Sequence, residues 1–367
     1  MRTAYTLTLL SNTGVAFSSI LIPLLSRELG LPFFQLGLVV MGYGLASALS
    51  YFLFGRLSDS LGRRTVFVRL GFLLCFPAFL LQVLMADFPS LLLIRTLAGF
   101  CLGIGTFPLL AYLSGLPRYE RRVWLFAGFT SLGWAVGYLG AGLLPTYNAA
   151  FLLSSLCFLA GFLLSLSLPE VRVRRKRNFS SLEVIRRNSR TYLHYLLRHT
   201  GAQCVWTVFP LYLVELGASR GWVGFLYALN CGLQFVIMAL FSRVRRPLDD
   251  RLLVRTGLLL STVTFLAYSL ATSYLHILPV QPVLAVAWST LYVGSLLHLL
   301  RRNLEKATST SLLGSTISVA GVIGPFLGGA VSELFGLRAV MLTAFGLSLT
   351  ATLLAAGEER PLTSPSR

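Results

Sequence analysis

Two fifteen-residue stretches decide the fold of this chain: PLLSRELGLPFFQLG at residues 23–37 and PLYLVELGASRGWVG at residues 210–224. They share a proline, the tripeptide Glu-Leu-Gly and a final glycine at an offset of 187 residues. Identities at the same offset continue on both sides of these stretches: Thr13 corresponds to Thr200, and Gly142 corresponds to Gly329. A register kept over most of a half-chain indicates that one strongly apolar unit has been duplicated.

The composition predicts a membrane protein. The 367 residues are 55% hydrophobic and only 12% charged, and their mean hydropathy is +0.75, whereas a soluble domain carries about 25% charged residues. About 20 apolar residues cross a bilayer as a helix, because a backbone in lipid must satisfy its own hydrogen bonds. Hydropathy places twelve spans, at 4–26, 34–55, 65–85, 90–113, 123–144, 149–168, 191–214, 222–242, 252–273, 279–300, 308–332 and 338–356.

The net charge of +18 would suit a nucleic-acid partner, but the positions of the basic residues exclude that interpretation. They concentrate in the connections after even-numbered spans, including the run at 172–177, whereas the connections after odd-numbered spans hold only Arg27, Arg220 and Arg338. This is the positive-inside pattern. It predicts a multi-pass protein of the plasma membrane with both termini in the cytoplasm.

The duplication and the spans together predict the domain organisation. Residues 1–168 form one six-helix bundle, 169–190 a basic cytoplasmic linker, 191–357 a second bundle and 358–367 a short cytoplasmic tail. In the linker we expect a short interfacial helix near its end.

The strongest local motif is GRLSDSLGRR, between spans two and three. It resembles the signature loop of the major facilitator superfamily, and the residues that match are Gly55, Asp59, Gly62, Arg63 and Arg64. An ordinary positive-inside turn would explain the arginines but not a lone aspartate at fixed spacing from two glycines. The resemblance implies two six-helix bundles around a central cavity, which opens alternately to either side of the membrane.

The resemblance also assigns a task to Asp59. The carboxylate would sit at the N-terminus of span eleven, near Thr308, Ser309 and Thr310, where unpaired N–H groups and the helix dipole attract anions. This latch would hold the two bundles together at their cytoplasmic ends.

Span four reads LLLIRTLAGFCLG and holds Arg95 and Gly99. It is similar to the membrane-embedded arginine motif of the same superfamily, whose members use this position in proton or substrate handling. At 1.5 Å per residue the arginine lies about 9 Å below the outer surface, so it must face a cavity or a partner, or else snorkel to the interface.

Glycine motifs recur in spans five and eleven, as GWAVGYLGAG at 133–142 and GVIGPFLGG at 321–329. The first resembles the exporter-associated motif of the superfamily, although the Gly-Pro pair stands in the second. Small residues allow close helix packing and bending, with or without a role in antiport. The motif residues are Gly133, Gly137, Gly324, Pro325, Gly328 and Gly329.

Polar and aromatic residues inside the spans form the candidate substrate or proton pathway. Asn12 and His199 are equivalent at the 187-residue offset, at a depth of about 12 Å. All thirteen acidic residues fall in connections or at span ends, so His199 is the best titratable candidate at depth. The alternative for any one residue is a helix-packing hydrogen bond. The other candidates are Arg95, Arg198, Gln203, Trp206, Asn230, Gln234, Trp288 and Tyr292.

The sequence therefore predicts an all-α transporter that moves a small organic molecule by alternating access and functions as a monomer. Export of the drug-efflux type, with protons as coupling ion, is the first expectation, and uptake of a sugar or organic anion is the alternative. The third hypothesis, a membrane enzyme or receptor, predicts a clustered catalytic constellation or a soluble sensor domain, and the sequence shows neither. We expect no cofactor and no metal, since the sequence has neither a Gly-Lys-Ser/Thr phosphate loop nor zinc-ligand spacing.

Overall fold

The computed structural model describes residues 2–114, 119–170, 181–244, 249–303 and 306–357. Within these ranges the chain is helical and contains no β-strand. Short helices cover Ile22–Glu28, Ser181–Arg187 and Tyr274–Ile277, and a 3-10 helix covers Leu81–Leu84. The twelve long helices are α1 (Arg2–Ser19), α2 (Phe33–Leu61), α3 (Arg64–Leu80), α4 (Phe88–Ser114), α5 (Tyr119–Leu143), α6 (Tyr147–Ser165), α7 (Ser189–Glu215), α8 (Arg220–Phe241), α9 (Asp250–Leu270), α10 (Val280–Arg302), α11 (Lys306–Phe335) and α12 (Leu337–Ala356).

Each predicted span falls on one of the twelve long helices. Ten segments of the described residues are long and apolar enough to cross a membrane. The two long helices outside that set are α5 and α7, of 25 and 27 residues. Helix α7 is less apolar because it carries Arg198 and His199, which the bundle interior buries. The structure is thus consistent with twelve spans.

The duplicated Glu-Leu-Gly tripeptide ends a helix in the same way in both halves. Gly30 and Gly217 have φ angles of 69° and 88°, a left-handed conformation that favours glycine. The residue after each glycine, Leu31 or Ala218, donates its N–H across the helix end to the Ser26 or Leu213 carbonyl, at 2.9 Å in both cases. These are Schellman caps, and their repetition explains why the tripeptide occurs in both copies.

The helices form two bundles of six. In the first, α1 packs against α5 and α6, α4 against α2 and α3, and α3 against α6. In the second, α7 packs against α11 and α12, α9 against α10 and α12, and α8 against α10. The bundles meet along two seams, α2 against α11 and α5 against α8.

Both seams rest on glycine contacts that the 187-residue offset relates. A β-carbon added at Gly37 would lie 2.6 Å from the Pro325 carbonyl oxygen, and one added at Gly224 would lie 2.6 Å from the Tyr138 carbonyl oxygen. Gly224 and Gly37 are offset equivalents, as are Pro325 and Tyr138. The backbones approach so closely that only glycine fits, and the duplication therefore generates a two-fold-related pair of interfaces.

The glycine motifs also fix packing inside each bundle. A β-carbon added at Gly137 would lie 2.5 Å from the Thr13 carbonyl oxygen of α1. Its equivalent Gly324 meets the Thr200 carbonyl oxygen of α7 at 2.8 Å. Each bundle thus places its glycine-rich helix against its own first helix.

The connections after odd-numbered helices are linked to one another at one end of the molecule, which we call the predicted outer end. The Phe33 N–H donates to Glu333 Oε2 at 2.8 Å, and the Arg220 guanidinium donates to the Thr146 carbonyl at 3.4 Å. The Tyr147 hydroxyl donates to the Glu28 carboxylate, the Tyr274 N–H to the Leu216 carbonyl and the Arg338 guanidinium to the Ala271 carbonyl. This grouping is expected when successive spans cross the membrane in opposite directions.

At the opposite end the linker is joined to the second bundle. The side-chain amides of Asn188 and Asn303 donate to each other's oxygens at 2.9 and 3.1 Å. A short helix is present at Ser181–Arg187, and its position at the membrane interface stays a prediction. The basic run at 172–177 and the tail from 358 onward lie outside the described residues, so the domain limits stay predictions.

Candidate functional site

An aromatic cluster occupies the interior of the second bundle. His199 of α7 stacks on Trp288 of α10 at 5.2 Å, and Trp288 stacks on Tyr292 at 5.6 Å. Tyr195, one turn before His199, closes the cluster at 5.5 Å from the imidazole. The His199 Nε2 lies 3.1 Å from the Gln203 amide nitrogen, so the cluster offers flat apolar faces beside a polar edge.

Arg198 borders this cluster. It is 1% exposed, its Nε donates to Ser261 Oγ at 2.8 Å, and its guanidinium carbon lies 5.5 Å from the Trp288 ring centroid. Its Nη2 has no hydrogen-bond partner in the described part of the chain. Burial of a guanidinium without a carboxylate costs several kcal/mol, and such a cost is retained where the charge has a function.

A chain of hydrogen bonds crosses from one bundle to the other beside the α5–α8 seam. Ser131 Oγ of α5 donates to Gln234 Oε1 at 3.2 Å, and Gln234 donates to Asn230 Oδ1 at 2.6 Å. Asn230 donates to the Gln281 carbonyl, and the Gln281 amide donates to the Tyr268 hydroxyl, both at 3.1 Å. The amides of Asn230 and Gln234 thus join α5, α8, α9 and α10.

A second aromatic group lies on the same seam. Tyr138 of α5 meets Tyr227 of α8 edge to face at 4.9 Å, and it also meets Trp134 at 5.3 Å. Trp206 of α7 lies 5.9 Å from Tyr227. Tyr138 is equivalent to Pro325 at the 187-residue offset. The first bundle therefore has an aromatic ring at this position, and the ring contacts the other bundle.

Arg95 lies in the first bundle and does not snorkel. It is 3% exposed, and its Nη1 donates to Ser18 Oγ of α1 at 3.0 Å. Its guanidinium carbon lies 4.1 Å from the Tyr43 ring centroid of α2, a cation–π distance. Ser18 in turn donates to Gln82 Oε1. The surrounding helices hold the guanidinium inside the bundle.

The remaining pathway candidate, Asn12, does not join these groups. Its amide donates to the Thr8 carbonyl of its own helix at 2.7 Å. A β-carbon at Gly133 would lie 2.9 Å from the Asn12 Cβ, so Asn12 packs against α5.

Other motif glycines make helix contacts too. A β-carbon at Gly99 would meet the Tyr43 carbonyl oxygen at 2.4 Å, and one at Gly328 the Cys204 carbonyl oxygen at 2.7 Å. Gly329 faces Gly37 across the α2–α11 seam. These residues position helices and lie apart from the aromatic cluster.

In the signature loop, Gly55 lies in α2, and Gly62 ends α2 with a φ angle of 65°. Arg63 precedes α3, and Arg64 is its first residue, 9% exposed. The side chains of Asp59, Thr308 and Thr310 lie outside the described residues. The latch from Asp59 to α11 therefore stays a prediction.

Several residues of these groups were not among the sequence candidates. Tyr195 could have been found, because it lies four residues before His199 on the same helical face. Ser18, Ser131 and Ser261 carry no such signal, because serine is a common packing residue in membrane helices.

Two apolar bundles that meet along two seams and carry polar groups in their interiors are the architecture of many secondary transporters. The chain belongs to the Major Facilitator Superfamily, whose family model matches residues 4–300. The resemblance carried by GRLSDSLGRR is thereby confirmed.

Two curated relatives have names that refer to sugars. Sugar efflux transporter A of Dickeya chrysanthemi is 27% identical over 235 residues, which cover 59% of this chain and 58% of the relative. A putative sugar efflux transporter of Deinococcus radiodurans is 26% identical over 291 residues, which cover 74% of this chain and 70% of the relative. The chain thus spans less than two thirds of the first relative.

Two solved structures share the fold over nearly the whole chain. The human organic anion transporter MFSD10 (TETRAN) has a TM-score of 0.74 at 18% identity, covering 96% of this chain and 99% of its own. The nucleoside transporter NupG has a TM-score of 0.78 at 12% identity, covering 98% of this chain and 99% of its own. At such identities the similarity concerns the fold alone.

Proposed function

We propose that the protein exports a small polyhydroxylated compound of the sugar class by alternating access. The observation that carries this proposal is the combination of stacked aromatic faces at His199, Trp288 and Tyr292 with the neutral amides of Gln203 and Gln234. Apolar walls with a few placed polar groups are typical of small-molecule sites. Aromatic faces suit the C–H faces of a sugar, and amides both donate to and accept from its hydroxyls.

A cationic drug, which fits the first sequence expectation, suits this interior less well. The guanidinium of Arg198 lies 5.5 Å from the Trp288 ring centroid, where it would repel a second cation. The names of the two relatives in the previous section also favour sugars over drugs. Efflux in both names supports export over uptake.

An organic anion is the second candidate, and a specific observation favours it. Arg198 donates to a serine and has no carboxylate partner among the described residues. A substrate carboxylate would provide the missing counter-charge. The two candidates differ in whether transport needs the arginine or the aromatic faces.

Transport by reconstituted vesicles distinguishes them. Proteoliposomes preloaded with unlabelled solute should accumulate the labelled form by counterflow, with a panel of mono- and disaccharides in one arm and small carboxylates in the other. For a sugar substrate, Trp288→Ala should reduce counterflow about tenfold or more, because a buried stacking face is lost, whereas Arg198→Gln should reduce it less. Trp222→Ala is the matched control, since Trp222 packs against Tyr274 at the predicted outer end. Counterflow of carboxylates alone would establish the second candidate instead.

Proton coupling through His199 belongs to the same proposal. In the described part of the chain the Nδ1 of His199 has no hydrogen-bond partner, so a proton there would be exchanged only with substrate or water. His199→Gln should abolish the response of transport to an imposed pH gradient, and the counterflow that remains without this aromatic face should be the same with and without the gradient. If transport by this variant still responds to the pH gradient, His199 contributes to helix packing and not to proton transfer.

The topology is likewise proposed: both termini in the cytoplasm of a plasma-membrane protein that functions as a monomer. The concentration of basic residues on the linker side supports it. An impermeant thiol probe applied to intact cells should not label a cysteine placed in the 171–190 linker. Labelling from outside would show that the orientation in the membrane is opposite to the proposed one.

A further inference from the structure

The surroundings of Arg95 contain more hydrogen-bond donors than the protein can pair. Four elements contribute: α4 with Arg95, α1 with Ser18, α2 with Tyr43 and the 3-10 helix with Gln82. Arg95 Nη1 donates to Ser18, and Ser18 donates to Gln82 Oε1. Ser18 Oγ and Gln82 Oε1 thus each already accept one hydrogen bond.

Three donors remain in this cluster. Arg95 Nε, Gln82 Nε2 and the Tyr43 hydroxyl are buried and have no hydrogen-bond partner within the described ranges. Arg95 and Gln82 are 3% and 1% exposed, so solvent does not satisfy them. Buried polar groups normally have partners, and an anion would satisfy the three leftover donors and also balance the charge of the guanidinium.

The described residues do not supply a negative charge here. The acidic residues nearest in sequence to Ser18, Tyr43, Gln82 and Arg95 are Glu28 and Asp87. Glu28 accepts from Tyr147 at the predicted outer end, and Asp87 accepts from the Ser90 N–H. A guanidinium keeps its charge at neutral pH, so its counter-ion must come from solution.

Arg69, in the same bundle, is an arginine whose guanidinium has several hydrogen-bond acceptors. Its Nε donates to the Ser165 carbonyl at 3.3 Å, and its Nη2 donates to the Leu166 and Leu168 carbonyls at 3.2 and 3.0 Å. These carbonyls end α6, where partial negative charge accumulates. Arg95 has no equivalent set of acceptors among the described residues.

We propose that Arg95, Gln82, Tyr43 and Ser18 form a binding site for a small inorganic anion of the halide type. Guanidinium, amide and hydroxyl donors are the groups that hold such an anion in a water-poor interior. The site lies in the first bundle, apart from the aromatic cluster of the second. It goes beyond the proposed function, because it does not depend on which solute is transported.

The test measures thermal stability of the purified detergent-solubilised protein without any transport substrate. Sodium chloride is compared with sodium methanesulfonate at equal ionic strength. A bound anion stabilises the folded state in proportion to ln(1 + concentration/Kd), so chloride should raise the Tm by about 2–4 °C in a saturable manner. Arg95→Gln should abolish the shift, whereas Arg69→Gln, which removes a guanidinium with satisfied partners, should retain it.

Gln82→Leu keeps the guanidinium and removes one leftover donor, so the chloride concentration for half the shift should rise about tenfold. This variant tests the site even if Arg95→Gln fails to elute as a monodisperse peak. Equal Tm values in the two salts for the wild type, an undiminished chloride shift in Arg95→Gln, or an unchanged chloride concentration for half the shift in Gln82→Leu, would overturn the proposal. A small carboxylate that stabilises the wild type but not Arg95→Gln, with chloride inactive, would assign the donors to a solute and also overturn it. None of these measurements involves sugar transport, so the proposed function can fail separately.

Discussion

The two seams between the bundles share their backbone contacts and differ in their side chains. Along α2–α11, Gly37 meets the carbonyl of Pro325, and along α5–α8, Gly224 meets the carbonyl of Tyr138. The α5–α8 seam adds the Tyr138–Tyr227 ring contact and the Ser131–Gln234 hydrogen bond. After duplication the chain has kept the places where backbones touch and changed the side chains around them.

The physical reason is that the two kinds of position tolerate substitution differently. A β-carbon 2.6 Å from a backbone oxygen requires the helices to move apart, so Gly37 and Gly224 are fixed. The residue that supplies the carbonyl takes part in this contact through its backbone, so proline serves in α11 and tyrosine in α5. Tyr138 thereby brings an aromatic ring to the interior, which a proline could not do.

The clamps at the predicted outer end show the same relation, with the roles of backbone and side chain exchanged. At the α2–α11 seam the backbone N–H of Phe33 donates to the Glu333 side chain. At the α5–α8 seam the Arg220 side chain donates to the backbone carbonyl of Thr146. Phe33 and Arg220 are offset equivalents, as are Thr146 and Glu333, so each seam is closed at the same point by different chemistry.

The largest effect should come from a methyl group in either seam. Gly37→Ala and Gly224→Ala should each reduce counterflow to background, because the added carbon would lie 2.6 Å from a carbonyl oxygen and the predicted outer end could not close. Labelling of Cys231 on α8 by a thiol probe, with the other cysteines replaced by serine, should rise about tenfold.

Gly232→Ala is the control for this pair. Gly232 lies on the same helix as Gly224, but a β-carbon added there would meet no neighbouring atom within 4 Å. Similar losses in the two seam variants would confirm that they act as equivalents. Normal counterflow in either variant would show that its seam does not need to close.

The next largest effect concerns the opposite end of the bundles. Asp59→Asn should weaken the proposed latch by about 1.4 kcal/mol and shift the two-state equilibrium about tenfold toward the form open at that end. Binding of substrate within one fixed state should not change. Thiol labelling from the cytoplasmic side measures the shift. Unaltered labelling and transport would make the loop a charged turn and leave the seams as the only gates.

A smaller effect is expected at the two clamps. Arg220→Ala removes a hydrogen bond and a cation–π contact with Tyr147 at 4.7 Å, and should increase Cys231 labelling about three- to tenfold. Glu333→Ala removes one charge-assisted bond and should give a similar or smaller increase. The double variant should show the product of the two effects, since distant sites add in free energy. A clear departure from that product would mean that the seams open together.

The smallest effect should follow loss of the side-chain bond that distinguishes the seams. Ser131→Ala leaves Gln234 bonded to Asn230, so Cys231 labelling should increase only about two- to threefold. Ser154→Ala is the matched control, since Ser154 donates to the Gly14 carbonyl inside the first bundle and its loss should not affect the seam. Equal labelling in the two variants would assign no gating role to the Ser131–Gln234 bond.

Much of the fold could be read from the sequence. Each predicted span falls on a long helix, because a bilayer requires helices of about 20 apolar residues. The 187-residue register paired Gly30 with Gly217, and the structure places both in Schellman caps, since a left-handed helix end selects glycine locally. The sorting of basic residues agrees with the linked odd-numbered connections, because that pattern depends only on charge and chain order.

The candidate site could be predicted only in part. The sequence named Arg198, His199, Trp288 and Tyr292 as pathway residues, and the structure brings them together. It could not tell that Asn12 would bond within its own helix, since asparagine has both local and distant partners available.

What only the tertiary structure decided is which polar groups face each other. Arg95 meets Ser18, Arg198 meets Ser261 and Ser131 meets Gln234 across helices far apart in sequence. A membrane helix is apolar on nearly every face, so hydropathy fixes its length but not its rotation about its own axis. That rotation is set by the glycine contacts with neighbouring helices, and therefore the partners of each buried arginine follow from the packing.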